Sequence, residues 1–190
     1  TLGIRKSFLG MVIALVSPAI FYNSAIWGQV DAVYSLCLLG AIIAFLAYYP
    51  SVSACFFCLA LLSKLQAIAM APLFLFLFLS HGKQTFLKGI VASIITIGAV
   101  LLPFLVKGKL EVILNVYHQS VGFYAALSPN AFNLWWALFG EKASSIQDTT
   151  LIYGLLSYRT LGIILFLAIS TLVLWIFRKN ILRQRIPSKR

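Results

Sequence analysis

Acid is nearly missing from this chain: two aspartates and two glutamates stand against 15 Lys and Arg in 190 residues. Charged residues of both signs make up only 10%, while 62% are hydrophobic, more than the interior of a soluble domain of this size can hold. A water-soluble protein is therefore excluded. Cysteine is sparse as well, and only Cys55 and Cys58 stand at a paired spacing, C-F-F-C. No second Cys or His pair accompanies them at ligand distance, so a redox pair or zinc site gives way to plain packing of small, soft residues in an apolar helix. Phosphate-cradling glycines and the G-x-S-x-G elbow are missing too, which leaves nucleotide hydrolysis and hydrolase chemistry without residues to perform them. The chain opens on Thr rather than Met and carries no cleavable leader pattern, and the expectation is that upstream sequence precedes it.

What is present is apolar sequence in long runs. Residues 8–22, 32–49, 52–80, 86–106 and 160–177 are nearly charge-free, and most are long enough to cross about 30 Å of hydrocarbon as helices. The expected fold class is all-α, a polytopic α-helical membrane protein. A net charge of +11 would point to nucleic acid in a soluble protein. Here the basic residues flank the runs (Arg5 with Lys6, Lys83 with Lys88, and the tail RKNILRQRIPSKR), as cytoplasmic loops do, so nucleic acid is not an expected partner.

Five single spans would put the basic N-terminal flank and the basic tail on opposite membrane faces, against the positive-inside rule. The run 52–80 resolves the conflict. As one helix it would extend roughly 43 Å, far more than the hydrocarbon, and it carries "SKLQ", Ser63 to Gln66, near its middle. Split near Lys64, it becomes two short helices, 52–63 and 66–80, and "HGKQTFLK" becomes a cytoplasmic loop. With 87–106 outward and 160–177 inward, every basic cluster then lies on the cytoplasmic side. Asp31 and Lys64 with Gln66 consequently emerge together at the external face. Short, broken helices of this kind are tolerated where they line a protein-enclosed cavity, and a cavity open to the external leaflet is expected here.

Two stretches carry the polar residues. In "NSAIWGQVD" a span boundary alone explains Trp, Asn and Gly, with Asp31 as the N-cap of a helix starting at Ala32. Gln29 and Asp31 together this close to hydrocarbon favour a bound polar group. Lys64 could snorkel from a helix end, yet an ammonium inside an apolar run with Gln66 two residues on suits a phosphate, and lipid phosphate is the anion found at that depth.

The segment 107–158 mixes both charge signs and forms the largest external part, a natural cover for a site. It opens with an amphipathic, interfacial stretch in which Val112, Val116, Phe123 and Leu127 are placed toward lipid and Glu111, His118 and Gln119 away from it. "NAFNLWW" then offers Asn130, Asn133, Trp135 and Trp136, a surface that serves sugar binding and membrane anchoring equally. A lone His118 reads as a surface residue. Glu111, Glu141 and Asp148 sit among loop charges that solvent explains.

"NSAIWGQVDAVYSLCLLGAIIAF" and "LALLSKLQAIAMAPLFLFLF" resemble the W-G-Q-x-D and K-x-Q-x-x-x-x-x-P segments of multi-pass GT-C glycosyltransferases. In particular they look like bacterial relatives of the mannosyltransferases that build glycolipid anchors. "SPNAFNLWWALFG" is similar to an Asn- and Trp-rich segment that follows in those proteins, and the resemblance covers most of residues 17–140. It implies a GT-C-like transmembrane bundle and an enzyme that moves a mannosyl or other hexosyl unit from a polyprenyl-phosphate donor to a glycan, lipid or protein hydroxyl, at the external or lumenal face. By matching position, Asp31 becomes the candidate for base or orientation, and Trp27, Gln29, Lys64, Gln66, Asn130 and Asn133 become candidates for substrate binding. The implied reaction is an inverting displacement, with a cation or divalent metal stabilising the leaving phosphate; the sequence supplies no metal-ligand set and no cofactor motif. The family's usual catalytic carboxylate lies in a first external loop upstream of these motifs, and the expectation is that this chain is the later portion of a longer enzyme, inactive alone.

The division expected is 1–106 for the transmembrane helices carrying both motifs, 107–158 for the external segment, and 159–190 for the last span and basic tail. Without an Asn-x-Ser/Thr acceptor in its external segments, the chain fits a bacterial inner membrane better than an endoplasmic reticulum. The rival from another class is a non-catalytic lipid-linked glycan flippase or transporter subunit. Such a carrier must open to both faces, whereas this sequence gathers its polar residues at one. A purely structural subunit would tolerate replacement of Asp31 and Lys64.

Overall fold

A computed structural model describes residues 8–13, 16–26, 30–120, 122–129 and 132–183, and these are mostly helical. Short helical pieces at 8–13 and Pro18–Phe21 and a π-helical turn at Tyr22–Ile26 are followed by α1 (Asp31–Leu46) and α2 (Pro50–Ser63). A 3-10 turn at Leu65–Met70 leads into α3 (Ala71–Ser80) and α4 (Lys83–Val106). Then come α5 (Leu110–Ser120), α6 (Leu134–Phe139), a two-stranded antiparallel hairpin of β1 (Leu151–Ile152) and β2 (Leu156–Ser157), and α7 (Tyr158–Arg183). Two of these helices, α4 and α7, are long and apolar enough to cross a membrane.

The described residues form two compact units. The first contains α1, α2 and Leu77–Pro103. The α1–α2 turn is set by backbone chemistry: Tyr49 N–H donates to Ala44 O (2.9 Å) and Tyr48 N–H to Phe45 O (3.0 Å), which satisfies two carbonyls orphaned by the helix end. Tyr48 takes the left-handed position of this motif, φ 66°, where glycine is usual. Pro50 then opens α2, its fixed φ suiting the first turn and its missing N–H costing nothing there. The two helices pack antiparallel through small residues, with Ala41, Ala44, Ser53, Ala54, Cys58 and Ala60 all buried. Ser53 Oγ donates to Ala41 O across the interface at 2.8 Å. Helices that lack a hydrophobic driving force between them pack in this way, by close backbone approach and interhelical hydrogen bonds. Cys58 is one of the packing residues, as expected of the C-F-F-C spacing.

Larger side chains complete this core. The buried Phe78 ring stands edge-on to Phe45 (centroids 5.3 Å apart), and His81 stands edge-on to the same Phe45 (4.9 Å). Gly89 of α4 faces the Phe78 ring so closely that a Cβ there would lie 2.6 Å from its edge. Helix α4 begins at Lys83, three residues before the apolar run, because hydropathy marks where the apolar side chains start and not where the backbone starts to coil. All of "HGKQTFLK" after His81 and Gly82 is therefore helical.

The second unit comprises Pro72–Phe76 and Phe104–Arg183. Gly108, at φ 64°, ends α4 by the same pair of bonds, Lys109 N–H to Phe104 O (2.8 Å) and Gly108 N–H to Leu105 O (3.0 Å). The expected amphipathic helix follows as α5, with Val112 and Val116 exposed. Residues 125–128 then run beside 143–148: Leu127 N–H donates to Ile146 O, Ser128 N–H to Ala143 O and Asp148 N–H to Ala125 O. Leu127, expected toward lipid, is instead buried, as are Ser128 and Ala143, because the helical period that aligned it with Val112 ends at Ser120. Tyr158 packs edge-on against Trp135 and Phe139 and ties α6 to the start of α7.

Candidate functional site

The break expected near Lys64 is present and has a definite form. Helix α2 stops at Ser63, Lys64 is extended (φ −156°, ψ 122°), and the chain resumes as a 3-10 turn before α3. The helix expected over 66–80 is thus regular only from Ala71. Lys64 N–H closes the last turn of α2 on Ala60 O (2.9 Å), and its carbonyl accepts from Ala67 N–H (3.0 Å), so both backbone groups of Lys64 itself are satisfied at the break.

Because α1 and α2 run antiparallel about a turn at residues 47–49, the start of α1 meets the end of α2. Lys64 Nζ donates to Asp31 Oδ1 there. The helix ends reinforce the pair: Asp31 is the first residue of α1, where the macrodipole favours an anion, and Lys64 caps α2, where it favours a cation. Each effect contributes about 0.3–1 kcal/mol at such positions. Asp31 is not the N-cap of a helix starting at Ala32. Val30 holds that position with no side-chain cap bond, and the carboxylate turns to Lys64 instead.

Sequence reasoning passed over Tyr34. It lies one helical turn after Asp31 on the same face, and its ring lies 5.6 Å from the Lys64 ammonium. The signal was available in the i, i+3 spacing, but only the partner helix reveals that both residues address one cation. A carboxylate, an ammonium and a phenol ring thus share one end of the α1–α2 hairpin, part-buried, while Gln66 in the adjoining 3-10 turn is exposed.

Trp27, Gln29 and Asn130 lie outside the described residues. Asn133 caps α6: its Oδ1 accepts from Trp136 N–H (3.1 Å) and its Nδ2 donates to Leu127 O (3.2 Å), so both ends of the amide hold the fold of the second unit. Asp148 is no solvent-explained charge. Its carboxylate, 17% exposed, takes a two-pronged bond from Arg159, Nε to Oδ2 at 2.8 Å and Nη2 to Oδ1 at 2.9 Å.

Among the described residues, no group of three His, Cys, Asp or Glu side chains gathers to hold a metal ion. The Asp31 carboxylate already faces an ammonium, which repels a second cation. This donor set does not fit a divalent ion, and Lys64 is the cation available to an anionic ligand at this end. No protein-family model matches the chain, and no curated protein or solved structure matches it.

Proposed function

We propose that this chain belongs to a multi-pass membrane glycosyltransferase of the GT-C kind, which transfers a mannosyl or other hexosyl unit from a polyprenyl-phosphate donor at the external face of a bacterial inner membrane. The acceptor is a hydroxyl of a glycan, lipid or protein. The observation that carries the reading is the Asp31–Lys64 pair, a carboxylate and an ammonium held together beside a helix break within the two segments that resemble that family. The membrane setting is supported by the exposure of the long apolar helices. Only 11% of the most apolar stretch of α4 and none of that of α7 is buried by protein, opposite to what the core helix of a soluble protein requires.

In this reading the donor phosphate competes with Asp31 for Lys64. Once Lys64 turns to the phosphate, the Asp31 carboxylate is released to accept the proton of the acceptor hydroxyl. The hydroxyl oxygen forms a bond to the anomeric carbon as the bond from that carbon to the phosphate oxygen breaks on the opposite side. The proton ends on Asp31 and the electron pair on the polyprenyl phosphate, whose charge Lys64 stabilises.

The test is sugar transfer from a polyprenyl-phosphate donor in membranes holding the protein at its full natural length, with and without Asp31→Asn and Lys64→Gln. Transfer lost in both variants is the expected result. Unimpaired transfer in Asp31→Asn would make the pair architectural, and transfer from no donor at all would favour the lipid-linked glycan carrier instead.

A further inference from the structure

We infer that the hairpin tip Tyr153-Gly154-Leu155 is a lipid-interface anchor, inserted among headgroups beside the start of α7. The inference shares the membrane setting of the proposed function but not its chemistry, and it stands if the protein transfers no sugar. Strands β1 and β2 pair in the register Leu151 with Ser157 and Ile152 with Leu156, so the three tip residues project beyond the ladder. Tyr153 is 97% and Leu155 88% exposed, an aromatic and an aliphatic side chain with almost no protein around them.

The turn chemistry sharpens the point. Leu155 N–H donates to Ile152 O at 3.1 Å, and Tyr153 (φ 49°) and Gly154 (φ 75°) both take left-handed backbone conformations. A tip in water would place Asn or Asp before that glycine, since a residue with a larger side chain is sterically disfavoured there. This chain puts Tyr at the strained position, the residue that favours the membrane–water boundary. From Thr149 to Ser157 no residue is charged, so the tip offers area and a phenol but no ionic match to a protein surface.

Depth follows from α7. Its far end carries Trp175 with the Arg178 guanidinium stacked 4.5 Å over the ring, an aromatic–cationic pair suited to one interface. Tyr158 lies about 26 Å back along the helix axis, at the other interface of a hydrocarbon layer about 30 Å thick. Strands of two residues set the tip no more than about 10 Å from that point, so a hairpin lying along the membrane surface keeps it in the headgroup layer.

The experiment uses the whole protein in open membrane sheets of phosphatidylethanolamine and phosphatidylglycerol, where both faces are reachable. Leu155→Cys and Lys142→Cys, the latter at an exposed charged position, are treated with a water-soluble maleimide, and the unsubstituted protein measures the contribution of native thiols. Separately, Tyr153→Trp is read in lipids brominated near the headgroup or deep in the chain, against the native tryptophan signal. Expected are labelling of Leu155→Cys at least tenfold slower than of Lys142→Cys, and stronger quenching by the shallow bromines. Equal labelling rates would overturn the inference by placing the tip in water. Slow labelling without bromine quenching would overturn it by showing that protein covers the tip. Release of the protein from sheets by carbonate would sink the membrane setting itself, a failure distinct from the other two.

Discussion

Asp31 and Lys64, 33 residues apart in sequence, are joined by the antiparallel course of α1 and α2, and each stands at the helix end whose dipole favours its charge. The pair is part-buried, so removing one partner leaves the other short of solvation. Asp31→Asn and Lys64→Gln are each expected to lower stability by about 1–2 kcal/mol, less than for a fully buried pair because both side chains keep some exposure. The exchanged variant, Asp31→Lys with Lys64→Asp, restores the attraction but sets both charges against the helix dipoles. It should regain part of the lost stability and none of the transfer activity. Thermal unfolding in detergent, read beside the transfer assay, checks this; recovery of transfer by the exchanged pair would deny any positional chemistry to Asp31.

A methyl group at Gly89 would enter the Phe78 ring, its Cβ 2.6 Å and 2.7 Å from two ring carbons. Gly89→Ala is therefore expected to destabilise the first unit by about 1–3 kcal/mol, as overpacking does. Phe78→Leu in that background should relieve part of the clash, a coupling that a double-mutant cycle measures. Additive effects would mean that the two positions do not touch.

Ser53 is fully buried and donates to Ala41 O between α1 and α2. Ser53→Ala is expected to cost only about 0.5–1.5 kcal/mol, because Ala keeps the close approach. Ser53→Leu should cost considerably more by forcing the helices apart. Chemical denaturation of the detergent-solubilised protein ranks the two, and a Leu variant as stable as the Ala variant would deny close packing here.

Arg159 holds Asp148 by two parallel bonds while Arg159 N–H donates to Asp148 O, which fixes the loop before β1 onto the start of α7. Arg159→Lys cannot reproduce the fork. It is expected to cost about 1 kcal/mol and to speed proteolysis within 121–157, with cleavage in the first unit unchanged. Limited proteolysis followed by mass spectrometry reads this directly. Unaltered cleavage would reduce the ion pair to a surface contact.

Legibility followed the range of the cause. The break at Lys64 was readable because one helix cannot be that long and carry an ammonium in its middle, and the amphipathic pattern of α5 is local. The meeting of Asp31 with Lys64 followed from a constraint on the whole chain, the need to keep every basic cluster on one face. Tyr34, Asp148 and Leu127 were misjudged or missed because their roles depend on partners in other segments: the Lys64 ammonium, the Arg159 fork and the backbone of 143–148. The turn at Tyr48 was hidden for another reason, since a residue that usually avoids the left-handed region gives no sign of adopting it.

The hairpin of α1 and α2 carries its two charges at one end and its small residues along the seam. In a bilayer, a lone Asp or Lys costs about 2.5–3.5 kcal/mol at the centre of a span and less toward its end, where Asp31 and Lys64 stand. Asp31 leaves the ribosome long before Lys64, and a solitary α1 would enter lipid with that penalty unrelieved. In the membrane setting proposed above, biogenesis would therefore favour holding α1 at the surface until α2 has been made. In that setting the two helices would partition together as one neutral hairpin, Asp31 and Lys64 already matched at its end.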